Sequence, residues 1–326
     1  MNILVTGGAG YIGSFASHRL IERGHHVVVY DNLSTGHKEF LHSKCKFVMG
    51  DIRDRELPAR VMKDNKIDLV MHFAAKTSVP ESIENPLDYF ENNSFGTMNL
   101  LQNCLKAGVK KVIFSSTAAV YGDTRKDFVS ESDELMPINP YGESKVFGER
   151  MIAHVHAAHG LNAIILRYFN VAGASLDNQL GQKNPKANHL FHHLTETAVG
   201  RQATMAIFGS DYPTVDGTGV RDFIHVEDIA HAHILAAERL MSESSYLQTF
   251  NCGYGQGFSV LQALKMMEDV SGRKIAYEIL SRRSGDPAKV LAKAEKIRSE
   301  LQWSPRYNDL KIICKTAFDW KKRQTS

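Results

Sequence analysis

Ile3-Leu4-Val5-Thr6-Gly7-Gly8-Ala9-Gly10-Tyr11-Ile12-Gly13 stands near the start of the chain. A short apolar run feeds a glycine loop, and a helix-like amphipathic segment follows over residues 12–23. The glycines satisfy both GxGxxG (positions 8, 10, 13) and GxxGxxG (positions 7, 10, 13). Gly7 and Gly10 permit tight turns and let main-chain N–H groups approach a pyrophosphate at a helix N-terminus, where the dipole favours negative charge. Gly13, lacking a Cβ, lets that helix pack closely on the strand. Strand, loop and helix in this order turn a common glycine pattern into a dinucleotide-binding signature.

Val27-Val28-Val29-Tyr30-Asp31 reads as the second strand, ending in an acid about 20 residues after the loop. Asp31 can accept hydrogen bonds from the adenosine ribose hydroxyls, and its charge repels a 2′-phosphate, so NAD is expected rather than NADP. Asp51, at the end of a third strand, is placed to reach an adenine amino group with Ile52 packing nearby; a solvated turn acid is the alternative reading.

Further strands are expected at 46–49, 69–73, 112–115 and 163–167, alternating with helix-like segments. Apolar runs without polar alternation fit parallel strands covered on both faces. Repeated βα spacing marks a doubly wound α/β fold, with ligands at the carboxyl ends of its strands. After about residue 170 the rhythm breaks. Residues 173–188 and 209–221 are loop-rich, and helices return at 226–241, 260–271 and 294–301. The expected organisation is a Rossmann-type NAD-binding domain over residues 1–170. A smaller α/β substrate-binding region would follow over 171–326, with a soft boundary and some segments returning to the first domain.

Tyr141 and Lys145 are one helical turn apart if residues 142–156 are helical, and Pro140 suits a helix start. A nearby ammonium, aided by a cationic nicotinamide ring, is expected to lower the tyrosine pKa and make Tyr141 a general base. Lys145 can also hold the nicotinamide ribose. Ser115-Ser116-Thr117 closes the fifth strand at the ligand edge, where a hydroxyl can reach the same substrate oxygen. Hydride transfer at an alcohol is the chemistry these groups describe.

The 326 residues carry a net charge of +3, with 43% hydrophobic and 23% charged residues. That balance is ordinary for a soluble globular protein and argues for neither nucleic acid nor a membrane as partner. Four scattered cysteines (Cys45, Cys104, Cys252, Cys314) without a CxxC pair suit reduced thiols. The N-terminus lacks a basic region and a long apolar stretch, so no signal peptide is expected, and no window reaches membrane-spanning length. A cytoplasmic protein is the expectation. His189, His192 and His193 lack a carboxylate or cysteine to complete a metal set, so no metal is expected.

The stretches TGGAGYIG (6–13), DNLSTG (31–36), GDIRD (50–54), HFAA (72–75), FSSTAAVYG (114–122), YGESK (141–145) and RYFNVAGA (167–174) resemble the extended short-chain dehydrogenase/reductase family. Downstream, AIFG (206–209), DYPT (211–214), DGTGVRDFIHV (216–226) and RRSGD (282–286) are similar to its branch that interconverts UDP-glucose and UDP-galactose at C4. The resemblance spans nearly the whole chain. It implies that Tyr141 takes the proton of the sugar 4-hydroxyl while C4 gives hydride to tightly bound NAD. The 4-keto sugar then turns over, and hydride returns to the opposite face.

It also implies roles along both ligands. Thr117 would assist Tyr141. NAD contacts are expected from Gly7, Gly10, Tyr11, Ile12, Gly13, Asp31, Asn32, Asp51, Ile52, Phe73, Ala74, Ala75, Lys76, Asn92, Ser115, Tyr141, Lys145 and Phe169. Asn170 would meet the sugar nucleotide and His189 would approach the diphosphate. Arg221 and Arg283 would grip that diphosphate, since guanidinium groups bind phosphate oxygens bidentately. Asp286 would take the uridine ribose, and Ala206, Phe208 and Phe223 would lie near the uracil. A homodimer joined by helices around residues 88–107 and 141–159 is implied as well.

Two positions depart from the family pattern. Lys76 lies one position earlier than the lysine that helps bind NAD in some members, which leaves open whether Lys76 or Thr77 faces the cofactor. Val290 falls where some members have a tyrosine bordering the sugar pocket. Either the smaller residue leaves room for UDP-GalNAc and UDP-GlcNAc, or neighbouring loops fill the space. Among other readings, a 4,6-dehydratase is disfavoured because Ala118 and Ala119 stand where its Asp-Glu pair is common. A 4-epimerase of a UDP-pentose or UDP-uronate would use the same parts. A non-catalytic NAD-binding regulator would be expected to lose Tyr141 or Lys145, and both are present.

Overall fold

The computed structural model describes residues 1–124, 126–185, 187–283 and 286–324; Ser284 and Gly285 of the RRSGD stretch lie outside them. Seven strands form one sheet: β1 (Asn2–Thr6), β2 (His26–Asp31), β3 (Lys46–Met49), β4 (Leu69–His72), β5 (Lys111–Thr117), β6 (Asn162–Tyr168) and β7 (Leu247–Cys252). All neighbours pair in parallel, in the order β7-β6-β5-β4-β1-β2-β3. The winding reverses between β1 and β4, the crevice where doubly wound sheets bind ligands.

Alternation within each strand explains the layering. Ile3, Val5, Val27, Val29, Ile113, Ile164 and Leu166 share one apolar cluster. The intervening Leu4, Val28, Tyr30, Val112, Phe114, Ala163 and Ile165 form another on the opposite face. Both faces are therefore dry, as the unbroken apolar runs predict. The crossover helices include α1 (Tyr11–Glu22), α2 (Leu57–Asp64), α3 (Gly96–Ala107), α4 (Pro140–His159) and α5 (Val226–Ser242). Asn139 caps α4 by accepting from the Gly142 N–H at 2.8 Å, Pro140 occupies its first turn, and Gly160 ends it with φ 65°.

The six strands expected from sequence are present, most of them a residue longer at one or both ends. The reading has no strand at Leu247–Cys252, because Gln248, Thr249 and Asn251 break its apolar run. It nevertheless pairs with β6 along its length. The remaining strands build a smaller unit. Val220–His225 pairs with Asn170–Ala172, Lys289–Ala292 and Gly257–Ser259, and Met205–Phe208 pairs with Tyr277–Leu280.

Candidate active site

The glycine loop closes on itself at the carboxyl end of β1. Gly7 has φ +72°, and a Cβ there would lie 2.6 Å from the backbone N of Ala74. A Cβ on Gly13 would lie 2.3 Å from the Gly7 carbonyl oxygen. Both positions exclude any side chain. Gly10 is the N-cap of α1, no side chain caps that end, and its first turn holds no acid. The helix thus presents bare N–H groups and its positive pole to the crevice, which suits a pyrophosphate.

Asp31, at the end of β2, accepts the Ala9 N–H at 3.0 Å and the Leu33 N–H at 2.8 Å. Burial pushes its carboxyl up, against the pull of these two donors. The acid therefore ties the loop to β2 and fixes negative charge beside it. Asp51 is engaged by Arg53 and by the Asn32 amide at 2.9 Å, which hold its carboxyl well below the usual range. Ile52 is buried against Gly96. The Phe73–Ala74 backbone lies directly against Gly7, and Ala75 follows in the same half-buried loop.

The Lys76 ammonium pairs with Asp88, with Glu81 at 3.9 Å, while Thr77 is exposed. Asn92 donates to Asn93 at 2.9 Å. The buried residue of that pair is Asn93, which accepts the Lys76 N–H at 2.8 Å and donates to the Lys76 carbonyl and the Ser144 hydroxyl. Asn93 was absent from the sequence reading. It lies in a π-helical turn, Phe90–Phe95, and such a turn shifts the phase of the faces that follow.

The catalytic candidates meet where α4 docks on the end of β5. Lys145 donates to the Ser115 carbonyl at 2.8 Å, with its ammonium 5.0 Å from the centre of the Phe114 ring. Thr117 lies close enough to the Tyr141 phenol to favour its ionised form. Tyr168 bridges the Ser115 hydroxyl at 2.8 Å and His233 at 2.6 Å. Burial dominates the electrostatics here. It pushes the Tyr141 phenol up to about 12, against the pull of Thr117. It also pulls Lys145 down to about 8, against the charge of Glu149. Desolvation thus opposes the phenolate, and the expected lowering of the Tyr141 pKa needs the nicotinamide charge as well as the ammonium.

Thr117 faces Tyr168 in the β5–β6 ladder. Phe169 is buried and donates its N–H to the Cys252 carbonyl at 3.1 Å, and the exposed Asn170 faces Phe223 on the strand Val220–His225. That strand carries the chain from the catalytic end to the distal arginines. Arg221 pairs with Asp286 at 2.6 Å and faces Val290 across the ladder. Arg283 lies 3.7 Å over the Phe208 ring. Met205 and Ile207 are buried, so Ala206 and Phe208 share the open face of their strand. Two guanidinium groups, a carboxylate and a half-buried aromatic face form a compact polar-aromatic site.

Phe223 is 2% exposed, with its ring 5.2 Å from that of Phe191, and so packs in the core. His189 caps a helix by accepting the His192 N–H at 3.3 Å, and burial drops its pKa to about 3. Its Nε2 is buried without a hydrogen-bond partner among the described residues. No cluster of metal-ligating side chains is present among the described residues.

A model of the NAD dependent epimerase/dehydratase family matches residues 3–253. The UDP-glucose 4-epimerase of Azospirillum brasilense is 46% identical over 320 residues, spanning 98% of this chain and 92% of that protein. A UDP-glucose 4-epimerase structure from Stenotrophomonas maltophila, with bound NAD and formylated UDP-arabinopyranose, superposes with a TM-score of 0.96 at 39% identity. It covers 100% of this chain and 99% of that one. The UDP-Glc/GlcNAc 4-epimerase of Campylobacter jejuni is similar with a TM-score of 0.86 at 45% identity, covering 99% of both chains.

Proposed function

The chain belongs to the NAD dependent epimerase/dehydratase family, and on that premise we propose that it interconverts UDP-glucose and UDP-galactose on bound NAD. The observation that carries this reading is the docking of α4 on β5. It sets the Tyr141 phenol near Thr117 and the Lys145 ammonium on the Ser115 carbonyl, one helical turn apart. Arg221 and Arg283 hold the diphosphate, and Asp286 takes the ribose once released from Arg221. The residues around the loop fit the cofactor: the Gly7–Gly13 approach leaves no room for side chains, and Asp31 keeps the ribose end acidic.

Bound NAD supplies the hydride acceptor and donor at C4, together with the positive charge that the buried phenol lacks. Tyr141 removes the 4-hydroxyl proton and later returns it to the 4-oxygen. Thr117 orients the phenol, and Lys145 stabilises its anion. Ala118 and Ala119 provide no acid and base for eliminating water, so the sugar is epimerised and not dehydrated. Purified protein is expected to retain NAD and to convert UDP-galactose to UDP-glucose without added oxidant. Turnover confined to a UDP-pentose or UDP-uronate, or none at all, would overturn the reading.

A second substrate class is favoured by Val290, a small side chain beside Arg221, and by the likeness to an enzyme acting on UDP-GlcNAc. Turnover of UDP-GalNAc comparable to that of UDP-galactose is the expected result; undetectable turnover would confine the enzyme to unsubstituted hexoses.

The protein is read as a cytoplasmic homodimer. Its four cysteines are free, and among the described residues no helix is long and apolar enough to cross a membrane. Ile83, Leu87, Met98 and Phe147 are exposed around α3 and α4, and the Phe147 ring lies 5.8 Å from Phe90. Such a cluster marks an association surface. Phe147→Asp is expected to convert a dimer to a monomer in light scattering; a monomeric parent protein would remove this assignment.

A further inference from the structure

α4 presents three residues to the end of β5, each one turn from the last: Tyr141, Lys145 and Glu149. The third was not singled out in the sequence, yet it is 6% exposed and fully engaged. Its carboxylate accepts the Ser116 hydroxyl and is gripped bidentately by Arg167, Nε to Oε1 at 3.0 Å and Nη2 to Oε2 at 2.6 Å. Arg167 faces Ser116 in the β5–β6 ladder and donates onward to the Tyr121 hydroxyl and the Glu131 carbonyl. Tyr121 in turn donates to Asn251 of β7 at 2.6 Å. A buried ion pair spanning one helix and three strands thus lies directly beneath the lysine.

We propose that Glu149 is a positioning residue whose carboxylate, held by Arg167 and Ser116, keeps the buried Lys145 ammonium charged beside Tyr141. The proposal rests on the reading of Tyr141 and Lys145 given above. A buried lysine with no counter-charge gives up its proton readily, and Lys145 is only 4% exposed. The groups around it leave Glu149 as its counter-charge. On its own helix are the neutral Tyr141 phenol and Glu149. From β5 come the Ser115 carbonyl and the Phe114 ring. From β4 comes His72, held neutral by burial at about 3. From β6 comes Arg167, whose charge is turned to Glu149.

A purely structural clamp would need hydrogen bonds but no charge, and Glu149→Gln separates the two. The test follows the Lys145 ionisation by NMR of 13C-labelled lysine, alongside kcat and KM against pH, in Glu149→Gln, Glu149→Asp and the double variant Glu149→Gln/Arg167→Met. The double variant buries no unpaired charge and decides the matter where the single one fails to fold. Glu149→Gln is expected to lower the Lys145 midpoint by about one pH unit, a tenfold change in its ionisation equilibrium. The alkaline limb of kcat should move with it while KM barely changes, and Glu149→Asp should restore both. A parent-like midpoint and alkaline limb in a folded charge-removing variant would overturn the proposal. The NMR midpoint needs no substrate, so a failure of the epimerase reading would show separately, as absent turnover in the parent protein.

Discussion

Replacing Tyr141 with Phe is expected to lower kcat for UDP-galactose by roughly 10²–10⁴-fold, the usual contribution of a positioned general base, while NAD stays bound. The ring itself is held by packing: it lies edge-on to Tyr89 with centroids 6.5 Å apart, and a phenyl group keeps that contact. Only the hydroxyl near Thr117 is lost, so the fold and the glycine loop should stay undisturbed. A coupled assay gives the rate, and near-ultraviolet circular dichroism checks the packing. Parent-like turnover would remove Tyr141 from the proton-transfer step. A rise in KM alone would assign it to binding.

The second large effect concerns the cofactor. Gly13→Ala drives a methyl group to within 2.3 Å of the Gly7 carbonyl, and Gly7→Ala adds both a clash with Ala74 and a left-handed backbone at φ +72°. Strain and clash together cost about 3 kcal/mol or more, so NAD affinity should fall by about two orders of magnitude. Gly24→Ala is the control. Its φ is also positive, at +82°, but nothing lies within 4 Å of the added methyl. It should lose some stability and retain NAD at the parent level. Calorimetry with re-added NAD reads both outcomes.

The features that were legible in the sequence are those that obey local rules. Strands β1 and β2 declare themselves because a sheet covered on both faces needs unbroken apolar runs, and Gly7 and Gly13 because no other residue fits. Tyr141 and Lys145 are legible because one helix supplies both. Features requiring distant partners were not. Glu149 and Arg167 are 18 residues apart and meet only because α4 lies across β6. Strand β7 is polar enough in sequence to read as loop, and earns its place through pairing with β6. Asn93 is the buried amide of the π-helical turn Phe90–Phe95, and its partners Lys76 and Ser144 are distant in sequence.

The electrostatics carry the same lesson. Spacing alone places an ammonium near a phenol and suggests a depressed phenol pKa. The structure adds desolvation, which pushes the Tyr141 phenol up to about 12 against the pull of Thr117.

The central claim is that hydride leaves C4 and returns to the same carbon within one site. Conversion of UDP-galactose carrying deuterium at C4, followed by proton NMR of the UDP-glucose formed in ordinary water, tests it most directly. The deuterium should be found at C4 of the product, undiluted by solvent. Its replacement by solvent hydrogen would show that C4 is deprotonated and not oxidised, and would contradict the account.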